Sequence, residues 1–260
     1  MKPIFEMAKR LVIVTCLFLA FTYSLCLATT AVVYVDNDRI LIGTDSLSRG
    51  GNGRTGTTCK IVTERPNCIF VVVGLVWQRK TGFYPAQYAR SACAAHLSLV
   101  ETAQRFGEIA KRPLERAIEY SRLHAPDDYK NLLQGKAVLN GMFAGFENGK
   151  PVVATKGFVL EEAGVLREDQ VLGSNATNSF LLYGDQGAAV RLLDDPTRPK
   201  DPLALVRKLI QVQIDENPHN VGPPISILEV TNHLYRWLDP GTCKSLGNID
   251  VDMVSSPTHR

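Results

Sequence analysis

Apolar positions in this chain fall into runs of different period, and each period predicts an element. Ala31 to Val35 and Arg39 to Thr44 are short apolar runs either side of Asp36-Asn37-Asp38, the pattern of two strands and a hairpin turn. A second pair is predicted at Cys59 to Thr63 and Cys68 to Gly74, joined by Glu64-Arg65-Pro66-Asn67. Ile69 to Val73 is continuously apolar, as expected of a strand buried on both faces. Between the pairs, Ser48 to Thr58 is glycine-rich and predicts a loop. From Tyr84 to Ala110 the period changes: Ala92, Ala95, Leu99, Ala103 and Phe106 recur at helical spacing. Pro113 suits the first turn of a further helix, Leu114 to Leu123, which Ala125-Pro126-Asp127-Asp128 ends. Strands are predicted again at Ala137 to Phe146, Val152 to Leu160 and Gly164 to Leu172, then helices at Ala176 to Leu193 and Pro202 to Ile214, then a strand at Ile225 to Thr231. Helices are grouped apart from strands rather than alternating with them, so the fold class expected is layered α+β in one domain.

One apolar run lies outside this scheme. Leu11 to Phe21 follows Lys2, Lys9 and Arg10, and it leads into a more polar tail that ends Cys26-Leu27-Ala28. Small residues at the two positions a signal peptidase inspects predict cleavage after Ala28. A retained anchor needs about 20 predominantly apolar residues. Leu11 to Ala28 falls short of that and is interrupted by Thr15, Thr22, Tyr23 and Ser24. Leu27 after Cys26 argues against a lipoprotein signal. The expected organisation is a signal peptide over 1–28 and one domain over 29–260. The protein would be secreted or periplasmic, with no stable membrane anchor after cleavage.

Charge and cysteine content narrow the function classes. The chain carries a formal net charge of +3, which drops to +1 when Lys2, Lys9, Arg10 and Glu6 leave with the leader. A nucleic-acid partner is therefore not expected. Cys59, Cys68, Cys93 and Cys243 remain, and an exported chain can pair them in three ways. Cys59 and Cys68 flank a tight strand pair, so a bridge between them is one candidate. No CxxC or HxxxH spacing suggests zinc, and the glycine-rich loop lacks the order of a phosphate-binding loop. No cofactor or metal is expected. His96, His124, His219, His233 and His259 have no partner at ligand spacing. Asn175-Ala176-Thr177 is a glycosylation sequon whose occurrence by chance is the simpler reading.

The candidate chemistry begins where the leader ends. A threonine hydroxyl is a weak nucleophile without an adjacent base, and a threonine that starts a chain carries a base in its own α-amine. That amine titrates at about 7.7–8.0 in model peptides, so part of it is free near neutrality. Cleavage after Ala28 would make Thr29 such a residue. A nearby lysine would lower the hydroxyl's pKa, an aspartate would hold the lysine, and a backbone N–H would receive the oxyanion.

Thr29-Thr30, Ile42-Gly43-Thr44-Asp45-Ser46, Cys59-Lys60-Ile61 and Gly74 occur in the order this site requires. In that order the chain resembles the proteasome β-subunit branch of the N-terminal-nucleophile hydrolases. Asp45 has the spacing from Thr29 that family members use for their buried aspartate. Lys60 sits one residue nearer the nucleophile than is usual, the difference falling in the Ser48 to Thr58 loop. The resemblance implies a four-layer αββα sandwich with mostly antiparallel sheets. It implies Thr29 as nucleophile, Asp45 and Lys60 as its charged support, and Gly74 as the oxyanion donor. Gly173-Ser174-Asn175 resembles the family's Gly-Ser-Gly turn, which makes Ser174 the partner of the terminal amine. The likeness is specific over Thr29 to Gly74 and architectural beyond it. The family cuts its propeptide after a glycine where this chain has Ala28, and its late aspartate has no clean match. Asp215, Asn217 or Asn220 stands nearest that place.

The expected function is an exported threonine-type peptide or amide hydrolase. Two alternatives stay open: a small-amide hydrolase with the same nucleophile, and a catalytically silent exported scaffold or binding subunit of this fold. The substrate expected is a peptide or amide, and the resemblance implies a homo-oligomer.

Overall fold

The computed structural model describes residues 29–49, 55–65, 67–134, 137–174, 177–232 and 234–245. The leader, the glycines at 50–53, Asn175 and Ala176 of the sequon, His233 and the tail from 246 lie outside the described residues.

The chain is a mixed α+β protein in which every described strand pairing is antiparallel. Its strands are β1 (Thr30–Val35), β2 (Arg39–Thr44), β3 (Leu47–Arg49), β4 (Thr55–Thr57), β5 (Ile61–Arg65) and β6 (Cys68–Gly74), then β7 (Leu139–Glu147), β8 (Lys150–Leu160), β9 (Leu166–Glu168), β10 (Leu172–Ser174), β11 (Ser179–Gly184), β12 (Ser226–Thr231) and β13 (Tyr235–Asp239). Helices α1 (Pro85–Cys93), α2 (Leu99–His124) and α3 (Pro126–Gln134) separate β6 from β7, and α4 (Gly187–Asp194) and α5 (Pro202–Glu216) separate β11 from β12. A 3-10 turn, Gly241–Ser245, follows β13. One sheet runs β11-β1-β2-β12-β13. The other runs β10-β8-β7-β6-β5, with β9 also paired to β8.

Alternation along the strands divides the apolar side chains among three clusters. Ala31, Val33, Ile40 and Ile42 of one sheet pack with Ile61, Ile69, Val71, Val73 and Met142 of the other. Phe70, Phe143, Ala154 and Phe158 point to the opposite face of their sheet and meet Ala103, Phe106, Ala110 and Leu114 of α2. Val32, Leu41 and Ile227 meet Leu205, Val206, Leu209 and Ile210 of α5. A side-chain period of two along each strand produces this division, since successive residues face opposite sides.

Several elements differ from the sequence expectation. The helix expected over Tyr84 to Ala110 is two, broken where His96 takes a positive φ of 56° and Ser98 caps α2 in a reciprocal pair with Glu101. Pro113 lies inside α2 rather than at the start of a new helix. The buried stripe of Phe106, Ala110, Leu114 and Ala117 runs through it, so packing outweighs the lost backbone bond. Pro126 begins α3 instead of ending helical structure. Ala176 to Leu193 is not one helix: its first part is strand β11, followed by the shorter α4. Gly164 to Leu172 supplies only the short strands β9 and β10. Leu47–Arg49 and Thr55–Thr57 form a hairpin within the predicted loop. Asn148 and Gly149 both have positive φ, the geometry of a tight two-residue hairpin turn.

The disulfides are Cys59–Cys243 and Cys68–Cys93, so the candidate Cys59–Cys68 bridge is not formed. Cys68 pairs with Arg65 beside the β5–β6 turn, whereas Cys59 precedes β5 at the open end of the same hairpin. The two cysteines therefore lie at opposite ends of one antiparallel pair, beyond bridging reach.

Candidate active site

Asp45 leaves the end of β2 directly beside the first residues of β1. Its backbone N–H donates to the Thr30 carbonyl at 3.2 Å, and the Thr30 N–H donates back to Asp45 Oδ1 at 2.9 Å. Oδ2 accepts from the backbone N–H groups of Leu47 at 3.1 Å and Gly222 at 3.2 Å. The fourth donor is Lys60, whose Nζ lies 2.8 Å from Oδ1 with both side chains completely buried. Four donors offset the desolvation of this carboxylate, and three of them are fixed backbone groups. Burial pulls the Lys60 ammonium below its ordinary pKa, while the charge and hydrogen bond of Asp45 oppose that pull.

Asp45 Oδ1 thus accepts from both the Lys60 ammonium and the amide that joins Thr30 to Thr29. The ammonium reaches the start of β1 through a single oxygen atom. Thr29 is itself buried, and its carbonyl accepts the Asp185 N–H at 3.1 Å. Thr30 Oγ donates to the Asp185 carbonyl at 3.2 Å. The chain bend there depends on Gly184, whose φ is +83°. A Cβ at that glycine would stand 1.6 Å from the Thr29 carbonyl oxygen and 3.0 Å from Val73 Cγ1.

Gly184→Ala is accordingly expected to cost on the order of 2–3 kcal/mol and to displace Thr29. Chemical denaturation checks this, and a variant within about 0.5 kcal/mol of wild type would contradict the close approach.

Val73 brings the end of β6, and so Gly74, to the same corner. Gly74 has a φ of +98°, and a Cβ on it would lie 2.3 Å from the Val138 carbonyl oxygen. Glycine alone fits there without displacing β7. Beneath Thr29, Ala31 pairs with Tyr183, which hydrogen-bonds Thr155 on β8 in the other sheet. Burial pushes that phenol up to about 12, so it stays neutral.

The structure brings Thr29, Asp45, Lys60 and the Gly74 end of β6 together, and it does not bring Ser174 to them. Ser174 lies on β10, at the opposite edge of its sheet from β5. It shares a row with Val153, Ala144 and Ile69, whereas Gly74 shares one with Leu139 and Phe158 at the other end of the strands. Asp185, which the sequence reading missed, lies at the start of β1 instead, with its N–H on the Thr29 carbonyl and its own carbonyl accepting from Thr30 Oγ. Asn217 Nδ2 donates to Asp185 Oδ2 at 2.8 Å, and Asn220 Nδ2 donates to Asn217 Oδ1 at 3.1 Å. Asp215 instead accepts from Gln211 on the exposed side of α5. The signal for Asp185 was Tyr183-Gly184-Asp185, a strand end followed by a carboxylate, hidden inside a predicted helix.

Among the described residues no group of His, Cys, Asp and Glu side chains is arranged to hold a metal ion. No described helix is long and apolar enough to cross a membrane. Searches against protein-family models and against curated proteins find no match to this chain.

Proposed function

We infer that this chain is an exported threonine-type hydrolase of peptide or amide bonds, with Thr29 as its first residue after leader cleavage. The observation that carries the reading is the shared oxygen of Asp45, which ties a fully buried lysine to the amide immediately after the proposed nucleophile. A buried Lys–Asp pair is costly to assemble, and a strand start needs no such support for folding alone. The three apolar clusters support a helix–sheet–sheet–helix stacking in four layers, as in N-terminal-nucleophile hydrolases. The two disulfides fit an oxidising compartment and so support export.

In this mechanism the free α-amine of Thr29 takes the proton from its own hydroxyl, and Oγ attacks the substrate carbonyl. The Lys60 ammonium stabilises the developing alkoxide, and the N–H at Gly74 receives the oxyanion. The amine then returns its proton to the leaving nitrogen as the C–N bond breaks. Water attacks the resulting ester, the amine accepts a proton from that water, and the acid departs with Thr29 Oγ reprotonated. Asp185, whose N–H holds the Thr29 carbonyl and whose carboxylate accepts from Asn217, lies at the same strand start.

Because the amine acts only when unprotonated, kcat/KM is expected to rise with pH through the amine's pKa. The positive charge of Lys60 disfavours a second positive charge beside it, so the midpoint should lie at or below about 8. Hydrolysis of short peptide amides by protein starting at Thr29 tests this. Activity that is independent of pH across that range, or that survives acetylation of the amine, would overturn the assignment of base.

A further inference from the structure

Asp45 and Lys60 arrive at their contact from different sheets, Asp45 after β2 and Lys60 before β5. Neither belongs to the sheet of the other, so strand pairing alone does not set their approach. One short turn touches both. Thr242 Oγ donates to Ser46 Oγ at 2.9 Å, and Ser46 immediately follows Asp45. The next residue, Cys243, is bonded to Cys59, with a Cα–Cα distance of 5.0 Å, and Cys59 immediately precedes Lys60. Two consecutive residues near the end of the described chain therefore each hold the sequence neighbour of one member of the ion pair.

The turn is anchored in its own right. Ser226 Oγ donates to the Pro240 carbonyl at 3.2 Å. Gly241 has a φ of +47°, and a Cβ there would lie 2.4 Å from Ser226 Oγ and 2.7 Å from the Ile225 carbonyl oxygen. Ser46 is further fixed by its N–H to the Gly222 carbonyl and its carbonyl to the Thr58 N–H. Ser46, Cys243 and Lys60 are all buried. The other disulfide has no such position: Cys68 lies at the turn end of the β5–β6 hairpin and ties it to α1.

We propose that Thr242 and Cys243 form a positioning clamp that sets the Asp45–Lys60 pair against Thr29, so that catalysis depends on the Cys59–Cys243 disulfide. This rests on the hydrolase reading above. A displacement of about 1 Å in a catalytic group can cost about 100-fold in rate. The clamp residues touch no substrate, and their effect passes through Lys60.

The test is the rate at which a small β-lactone acylates protein verified to begin at Thr29, measured across pH, with thermal stability followed in parallel. Cys59→Ala/Cys243→Ala and Thr242→Val are expected to acylate about 10- to 100-fold more slowly than wild type. Their rising limb should move to higher pH, because a displaced ammonium no longer disfavours protonation of the amine. Thr242→Ser restores the hydroxyl and should restore both rate and limb. Cys68→Ala/Cys93→Ala should lose stability while keeping the wild-type rate and limb. Wild-type acylation combined with an unchanged rate and limb in both clamp variants overturns the clamp alone. An equal fall in the Cys68/Cys93 control does the same. Absence of acylation at Thr29 in wild type rejects the hydrolase reading and the clamp together.

Discussion

Lys60→Ala is expected to abolish acyl transfer and to destabilise the fold by about 3–5 kcal/mol, the cost of stranding one member of a buried ion pair. Asp45 would keep its three backbone donors but lose the ammonium bonded to it. The cavity left by the lysine stem adds to the loss, because the side chain is completely buried. Urea denaturation gives the stability and β-lactone acylation gives the activity. A Lys60→Ala protein as stable as wild type would mean that the pair is not buried in solution. One that retained activity would remove Lys60 from the mechanism.

Thr29→Ala is the opposite case: turnover should vanish while stability changes by less than about 1 kcal/mol. The Thr29 carbonyl keeps the Asp185 N–H, and the Thr30 amide keeps Asp45, because both bonds belong to the main chain. Thr29→Ser retains a hydroxyl and should keep measurable acyl transfer. The two positions thus separate: Lys60→Ala is inactive and weakened, and Thr29→Ala is inactive and intact. A Thr29→Ala protein with wild-type turnover of a peptide amide would defeat the nucleophile assignment.

The readable half of the site was the half encoded locally. Thr29, Asp45, Lys60 and Gly74 lie on or beside β1, β2, β5 and β6, whose turns and apolar runs give their boundaries directly. Antiparallel hairpins then bring strand ends together with little freedom. Asp185 depends on a longer-range fact, that β11 pairs with β1 across more than half the chain. Ser179–Gly184 contains Phe180, Leu181, Leu182 and Tyr183 in a row, which fits either a strand or one turn of a buried helix. The helical reading hid this strand, and the serine turn to which the family resemblance pointed, at Ser174, lies on the β10 edge of the sheet that also carries Gly74. The candidate Cys59–Cys68 bridge is ruled out for a related reason: proximity in sequence suggested that the two could meet, but the hairpin holds them at opposite ends. Pro113 and Pro126 show packing and position overriding local signals, one carried through a buried helix and the other starting one.

The central claim is that leader removal creates the catalytic group at Thr29. Its most direct measurement is the intact mass and N-terminal sequence of the exported protein, followed by mapping of the adduct formed with a β-lactone. The predicted result is a chain that begins Thr29-Thr30-Ala31 and carries a single acyl ester on Thr29. A chain that retains residues before Thr29, or one that begins at Thr29 and takes no adduct there, would contradict it.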